Sequence, residues 1–186
     1  MKTELFSRIL YRCRQVLQAW QPRFSKEELV WADAFLTPEE RAVFLEMAPA
    51  DRRHALDVAH LCHRASGELS PEAQQLLLKA ALLHDMGKRN ASIGLVHRIL
   101  YVLLGSRPEK SQAFYGWPLL GKPLSVLADH ASLGAQEAAR RHWTPALVEL
   151  IRRHHGGCQG ERKLTEPEHP EMGKLLSLLQ EADNRC

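Results

Sequence analysis

Hydrophobic residues recur every three or four positions along most of the chain, and this spacing is typical of one buried face of an α-helix. The pattern predicts helices over residues 2–20, 25–35, 49–66, 71–84, 92–104, 131–142, 145–155 and 169–183. A further helix is expected to begin after Thr37. The predicted architecture is therefore one bundle of about eight or nine helices.

Short Ser/Thr-Pro signals mark three helix starts, in the stretches TPEE, SPEA and TPAL. A hydroxyl side chain can cap the free N–H groups of the first turn, and proline is well tolerated at the first helical position. The expected N-cap residues are Thr37, Ser70 and Thr144. Glu40 is expected to complete a capping box with Thr37.

Glycine marks the expected helix ends. Gly67 follows the helix over residues 49–66, and Gly87 follows the helix over residues 71–84. Residues 105–123 are rich in glycine and proline and are predicted to form a long loop. A loop of this length inside a compact domain is often functional.

The amino-acid composition supports an all-α fold. Leu occurs 30 times and Ala 21 times, whereas Val, Ile and Thr together occur 16 times among the 186 residues. β-Branched residues lose rotamer freedom in a helix, so their scarcity favours helices over strands. Hydrophobic residues make up 45% and charged residues 25%, which is ordinary globular usage. We predict a single all-α domain.

Charge and cysteine content narrow the range of partners and compartments. The net charge is +3 with both signs interspersed, so there is no basic stripe for polymeric nucleic acid. The four cysteines form no CxxC pair, which argues against a zinc knuckle or a disulfide framework and fits a reducing compartment. The N-terminus lacks the apolar core of a signal peptide, and His97 and Arg98 interrupt the longest apolar stretch. These features predict a cytoplasmic protein without a membrane or nucleic-acid partner.

Histidine and aspartate supply the candidate chemistry. The chain has ten histidines, and several stand within a helix or at its ends, where side chains can converge on one point. The candidate metal ligands are His54, His84, Asp85, His130, His154, His155 and Asp183. His130 is expected just before a helix. His60 and His63 share a helix with His54 and are more simply interpreted as surface or hydrogen-bonding residues.

The ligand types favour a pair of metal ions. An imidazole supplies one nitrogen, whereas a carboxylate has two oxygens and can bridge two ions, so Asp85 is the candidate bridge. The first ion would be bound by His54, His84, Asp85 and Asp183, and the second by Asp85, His130 and either His154 or His155. Nitrogen and oxygen donors without thiolate suit two divalent transition-metal ions, with iron or manganese favoured and zinc, cobalt or nickel also suited.

These residues and their order resemble the HD-domain superfamily of metal-dependent phosphohydrolases. Its signature is a histidine, a later His-Asp doublet and a distant final aspartate, matched here by His54 in RRHALDVAH, the doublet in LLHDMGK and Asp183 in LLQEADNR. His130 in DHASLGAQEA and the histidine pair in IRRHHGG resemble further elements of members that hold two or more metals. The resemblance covers roughly residues 50–184 and implies an all-helical bundle with the metals at its centre.

The resemblance also implies a domain organisation. Residues 49–186 are predicted to form the HD-type domain, and residues 1–48 a helical extension packed on it. No functional role carries over to the extension, which would dock on the bundle, cover the site or form a contact in a homodimer.

The implied activity is hydrolysis of a small-molecule phosphoester by a metal-bound hydroxide at a binuclear site. Asp85 and Lys88 are the implied catalytic residues. Lys88 matches the lysine of the HDxGK form and is implied to contact a substrate phosphate, and His155 is a second candidate for substrate contact. A nucleotide or cyclic dinucleotide is the expected substrate.

One subclass of the superfamily cleaves the cyclic dinucleotide of guanosine and carries a GYP element after the doublet. Residues 89–129 of this chain differ from that subclass. This chain has no GYP and carries a longer insert instead. The basic residues of the insert considered for anion contact are Arg89, Arg107, Lys110 and Lys122.

Two other functions stay open at this stage. A few members of the superfamily are di-iron oxygenases, which use a similar mixture of histidine and carboxylate ligands to activate oxygen. A regulatory nucleotide-binding module that keeps the metals without turnover is the third hypothesis. Lys88 favours the phosphohydrolase, because a compact ammonium group suits phosphate.

Overall fold

The computed structural model describes residues 22–104, 112–114, 116–155 and 171–186. The helix predicted over residues 2–20 lies outside these ranges. The described residues contain no β-strand, which confirms the predicted all-α class. Their eight α-helices are α1 (Lys26–Asp33), α2 (Pro38–Glu46), α3 (Pro49–Ala65), α4 (Pro71–Leu83), α5 (Leu95–Leu103), α6 (Gly121–Arg140), α7 (Pro145–Arg153) and α8 (Met172–Arg185). Two short 3-10 helices cover Met86–Asn90 and Gln112–Phe114.

Side-chain caps begin several helices, as the sequence predicts. The Thr37 hydroxyl accepts from the Glu40 N–H, and the Glu40 carboxylate accepts from the Thr37 N–H, so both bonds of the capping box are present at the start of α2. Ser70 caps α4 by accepting from the N–H of Ala73. Thr144 precedes α7 as predicted, but its side chain makes no capping hydrogen bond.

Helix α6 begins ten residues earlier than the pattern predicts, at Gly121 instead of 131. The prediction ended the glycine- and proline-rich loop too late, because Pro123 lies in the first turn of α6. The first N–H groups of a helix have no partner within the helix, so proline costs little there. His130 therefore lies in the middle of α6, and its predicted position just before a helix is wrong.

Gly87 does not end a helix in the way the sequence suggests. Helix α4 ends at Leu83, and Gly87 lies inside the 3-10 helix that follows. A Cβ atom on Gly87 would lie 2.1 Å from the backbone oxygen of His130 and 2.8 Å from the backbone nitrogen of Gly134. The missing side chain thus allows the HDMGK segment to lie directly against α6.

One hydrophobic core joins the helices. Helices α3 and α4 pack against each other, α8 packs on α3, and α7 packs on both α6 and α4. The buried side chains of Leu78, Ile151 and Leu175 come from α4, α7 and α8, and Phe44 of α2 belongs to the same core. The described part of residues 1–48 therefore shares a core with the rest of the chain, and the predicted domain boundary stays a prediction.

Helix α5 lies at the edge of this core. None of its residues is buried, and Val96 and Leu103 are 67% and 73% exposed. It contacts α6 in the described residues. Among the helices that the structure describes, none combines the length and the apolar character that crossing a membrane requires.

Candidate metal centre

The structure brings all seven candidate ligands to one place at the centre of the bundle. They come from α3, the end of α4, the middle of α6, the end of α7 and α8. Their ligand atoms form two groups, each within 4.8 Å: His54, His84 and Asp183 in the first, and Asp85, His130, His154 and His155 in the second. A metal ion of either group would draw ligands from at least three separate segments.

Asp85 lies between the two groups. Its Oδ2 is 3.6 Å from Nε2 of His84 and 3.9 Å from Nε2 of His54. Its Oδ1 is 3.2 Å from Nε2 of His130 and 3.9 Å from Nε2 of His154. The carboxylate thus presents one oxygen to each group, which is the arrangement of a carboxylate that can bridge two ions.

The three most buried histidines are oriented by the same local contact. Nδ1 of His84, His130 and His154 lies 2.9, 2.8 and 2.7 Å from the carbonyl oxygen three residues earlier in the chain. A carbonyl can only accept, so Nδ1 carries the proton and donates, and Nε2 is left to face the site. This contact is the type that fixes the tautomer and ring orientation of metal-binding histidines.

Several of these inward-facing atoms have no hydrogen-bond partner among the described residues. They are Nε2 of His84, Nε2 of His154 and Oδ1 of Asp85, all of them buried. A buried polar atom without a partner costs about 1–3 kcal/mol. Divalent metal ions would satisfy all three atoms, so the donor set fits the metal ions that the sequence predicts.

Asp183 closes the first group from α8. Its Oδ1 is 2.8 Å from Nε2 of His54 and 3.6 Å from Nε2 of His84. His60 and His63, the competing histidines of α3, instead contact the Trp31 ring on the side of α1. His54 therefore lies on the side of α3 that faces the centre, whereas His60 and His63 lie on the side that faces α1.

The adjacent histidines at the end of α7 differ in their surroundings. His154 is buried, whereas the side chain of His155 is 49% exposed. Nε2 of His155 lies 2.7 Å from Nε2 of His130, and its Nδ1 lies 3.9 Å from Oδ2 of Asp183. His154 is thus fixed inside the centre, and His155 lies at its solvent side.

Lys88 brings a positive charge into the centre. Its Nζ lies 2.5 Å from Oδ2 of Asp85, and the side chain is 14% exposed. In this structure, the ammonium group therefore contacts the candidate bridging carboxylate. The contact follows from the short 3-10 helix, which places residues 85 and 88 on one side.

The surroundings of most of these side chains favour the deprotonated state, which is the state that binds a metal ion. Burial raises the pKa of Asp85 and Asp183, but neighbouring groups outweigh it at both. Lys88 and adjacent histidines lower the pKa of Asp85 well below its usual range, and the histidines of the first group do the same for Asp183. Burial, followed by neighbouring histidines, lowers the pKa of His154 strongly and that of His155 to about 4. Burial also lowers the pKa of His84, but the two carboxylates outweigh it and raise the value to about 9. The carboxylates are therefore anionic, and His84 must lose a proton before it can bind a metal.

One polar pair near the centre was not found by sequence reasoning. Asp51, three residues before His54 on α3, is 3% exposed, and its Oδ2 accepts from Nη2 of Arg98 at 2.8 Å. The spacing of Asp51 and His54 could have drawn attention to the aspartate, but nothing local pairs it with Arg98, 47 residues away. Of the basic residues considered instead, Arg89 pairs with Glu137.

The remaining candidates for anion contact are less informative. Lys122 is exposed on the first turn of α6. Arg107 and Lys110 lie outside the described residues.

A comparison with protein families agrees with this arrangement. The model of the HD domain matches residues 52–185, which is most of the chain and includes all seven candidate ligands. No curated protein and no solved structure matches the chain significantly. The family match, the all-α bundle and the central cluster of histidine and aspartate lead to one conclusion: the chain belongs to the HD-domain family.

Proposed function

We propose that the protein is a phosphohydrolase that uses two divalent metal ions to cleave a phosphoester of a small molecule. The observation that carries the proposal is the position of Asp85, whose two oxygens face two separate groups of histidines. HD domains are in general metal-dependent hydrolases, and this agrees with the chemistry of the donor set. Nucleotides and cyclic dinucleotides are the substrate classes to test first.

The ligands divide between two ions. His54, His84 and Asp183 would hold the first, and His130, His154 and His155 the second, with Asp85 shared between them. Nitrogen and oxygen donors of this kind suit iron or manganese, and also zinc, cobalt or nickel. When bound, such a pair lowers the pKa of water to supply a hydroxide at neutral pH and polarises phosphoryl oxygens.

The chain's own residues complete the site. Lys88 would neutralise charge on the substrate phosphate, since its ammonium group already lies at the carboxylate between the two ligand groups. His155 lies at the solvent side, where it can act as the outermost ligand or touch the substrate. The buried Asp85 and His154 are shielded from water, so the ligand geometry is fixed before the substrate arrives.

The decisive experiment compares the wild type with Asp85→Ala and with the control Asp57→Ala. Asp57 lies on α3, and its carboxylate is 50% exposed and pairs with Arg53 at the surface. We expect two metal ions per chain and release of phosphate from at least one ester for the wild type and Asp57→Ala. The Asp85→Ala variant should lose the metal ions and should release no phosphate, because neither ion would keep the ligand that the two share. Elemental analysis and a panel of nucleotides and other phosphoesters measure the two quantities.

Other outcomes would contradict the proposal. One metal ion or none in the wild type, with no phosphate released from any ester, would exclude the binuclear hydrolase. Two iron ions together with consumption of oxygen and no phosphate release would favour the oxygenase chemistry found in a few members of the superfamily.

A further inference from the structure

Helix α5 reaches toward the centre of the bundle through one charged side chain. The helix buries none of its own residues, yet Nη2 of Arg98 lies 2.8 Å from Oδ2 of Asp51, which is 3% exposed. A charge as buried as that of Asp51 is costly without a partner, so the ion pair holds the guanidinium in a defined place.

That place is beside the candidate metal centre. Asp51 and His54 are three residues apart on α3 and therefore share one side of the helix. Burial lowers the pKa of Arg98, whereas Asp51 and then the charge of Asp85 raise it. Nε2 of His54 in turn lies 3.9 Å from Oδ2 of Asp85. The contact of Arg98 with Asp51 and the contact of His54 with the central carboxylate therefore lie on the same side of α3.

Arg98 also keeps donors for a ligand. A guanidinium has five N–H donors, and among the described residues only Asp51 accepts from one of them. The side chain is 21% exposed, so solvent reaches it. A planar fork of N–H groups matches the oxygens of a phosphate, and it binds them more specifically than an ammonium group does.

We propose that Arg98 is a substrate-binding residue whose guanidinium binds the phosphate group of the substrate at the metal centre, and that Asp51 positions it. The proposal rests on the proposed function, because it assigns the ligand of that same site. It adds a second cation to Lys88, from a helix of the insert. Residues of the insert thereby take part in recognition of the substrate.

The test is binding of inorganic phosphate to the metal-loaded protein, measured by titration calorimetry. The main variant is Arg98→Gln, which removes the charge but keeps an N–H donor for Asp51. We expect phosphate to bind at least about 10-fold more weakly to this variant, as for the loss of a charge-assisted hydrogen bond, with metal content unchanged. The variant should unfold at a lower temperature than the wild type, because the buried Asp51 loses its charged partner. Arg141→Met is the matched control, because Arg141 also bridges two helices by ion pairs, with Glu137 and Glu39.

A second variant covers the case in which Arg98→Gln fails to fold. Arg98→Lys keeps the charge and the attraction to Asp51 but loses the fork, and phosphate should again bind more weakly than to the wild type. Phosphate affinity equal to that of the wild type in whichever variant folds, or a wild type that binds no phosphate, would overturn the inference.

The failure of this inference differs from a failure of the proposed function. Protein that holds two metals and binds phosphate through Arg98, but hydrolyses no ester, would contradict the hydrolase and leave the role of Arg98 supported. If the wild type and the Arg98 variants hydrolyse esters equally well and bind phosphate with equal affinity, the role of Arg98 is contradicted and the hydrolase is supported.

Discussion

Three buried histidines, His84, His130 and His154, are oriented in the same way, by donation from Nδ1 to a carbonyl three residues earlier. The contact is local, because each carbonyl belongs to the same helix or helix end as its histidine. The chain therefore sets which nitrogen faces inward before any long-range packing is considered. What packing adds is the common point at which the three Nε2 atoms meet.

The difference between His154 and His155 leads to a prediction at this scale. His154→Gln should remove a buried candidate ligand, and we expect it to lower kcat/KM by about 100-fold or more, with loss of metal from the second group. His155→Gln should cost less, on the order of 10-fold, because its side chain is half exposed and lies at the edge of the site. Metal analysis and steady-state kinetics of the two variants measure the difference. Equal loss of metal in both would contradict it.

At the scale of elements, the contact between the HDMGK segment and α6 decides the geometry of the centre. The contact carries Asp85 to within 3.2 Å of His130, and it depends on the absence of a side chain at Gly87. Sequence reasoning placed Gly87 correctly near a helix end but gave the wrong reason for it. The backbone that a Cβ would meet, at His130 and Gly134 of α6, lies more than 40 residues further along the chain.

Gly87→Ala should therefore destabilise the protein and disturb the metal centre. The added methyl group would overlap the backbone of α6, which cannot move as a flexible side chain could, and we expect a loss of roughly 2–4 kcal/mol in the free energy of unfolding. The control is Gly67→Ala, since a Cβ there has no atom within 4 Å. Urea unfolding measures both variants, and a Gly87→Ala protein as stable as the control would contradict the explanation.

At the scale of the whole molecule, the centre joins α3, α6 and α8 with the ends of α4 and α7 around one point. Without metal, its unpartnered buried atoms and its clustered charges weaken the bundle at the place where the helices meet. Bound metal ions would be held by candidate ligands from separate helices and would join those helices. Metal binding should therefore stabilise the whole fold.

Removal of the metals by a chelator should lower the melting temperature. Each ion present at about 100 times its Kd adds ~2.7 kcal/mol to the stability of the fold, so loss of one ion should lower Tm by about 5–10 °C. Differential scanning calorimetry with and without chelator measures the shift. Asp85→Ala should show little response to the chelator, and a wild type that responds as weakly would contradict a structural role for the metals.

The sequence by itself determined the all-α class, most helix starts and the candidate ligands. The capping hydrogen bonds of Thr37, Glu40 and Ser70 reach N–H groups only three residues away. The candidate ligands are recognised from the chemistry of their own side chains. Both features can therefore be predicted from short stretches of the sequence. Only the tertiary structure decided that Asp85 faces two groups, that α6 begins at Gly121, that Gly87 contacts α6 and that Arg98 pairs with Asp51. These features join positions far apart in the chain, and local periodicity and capping carry no information about such contacts.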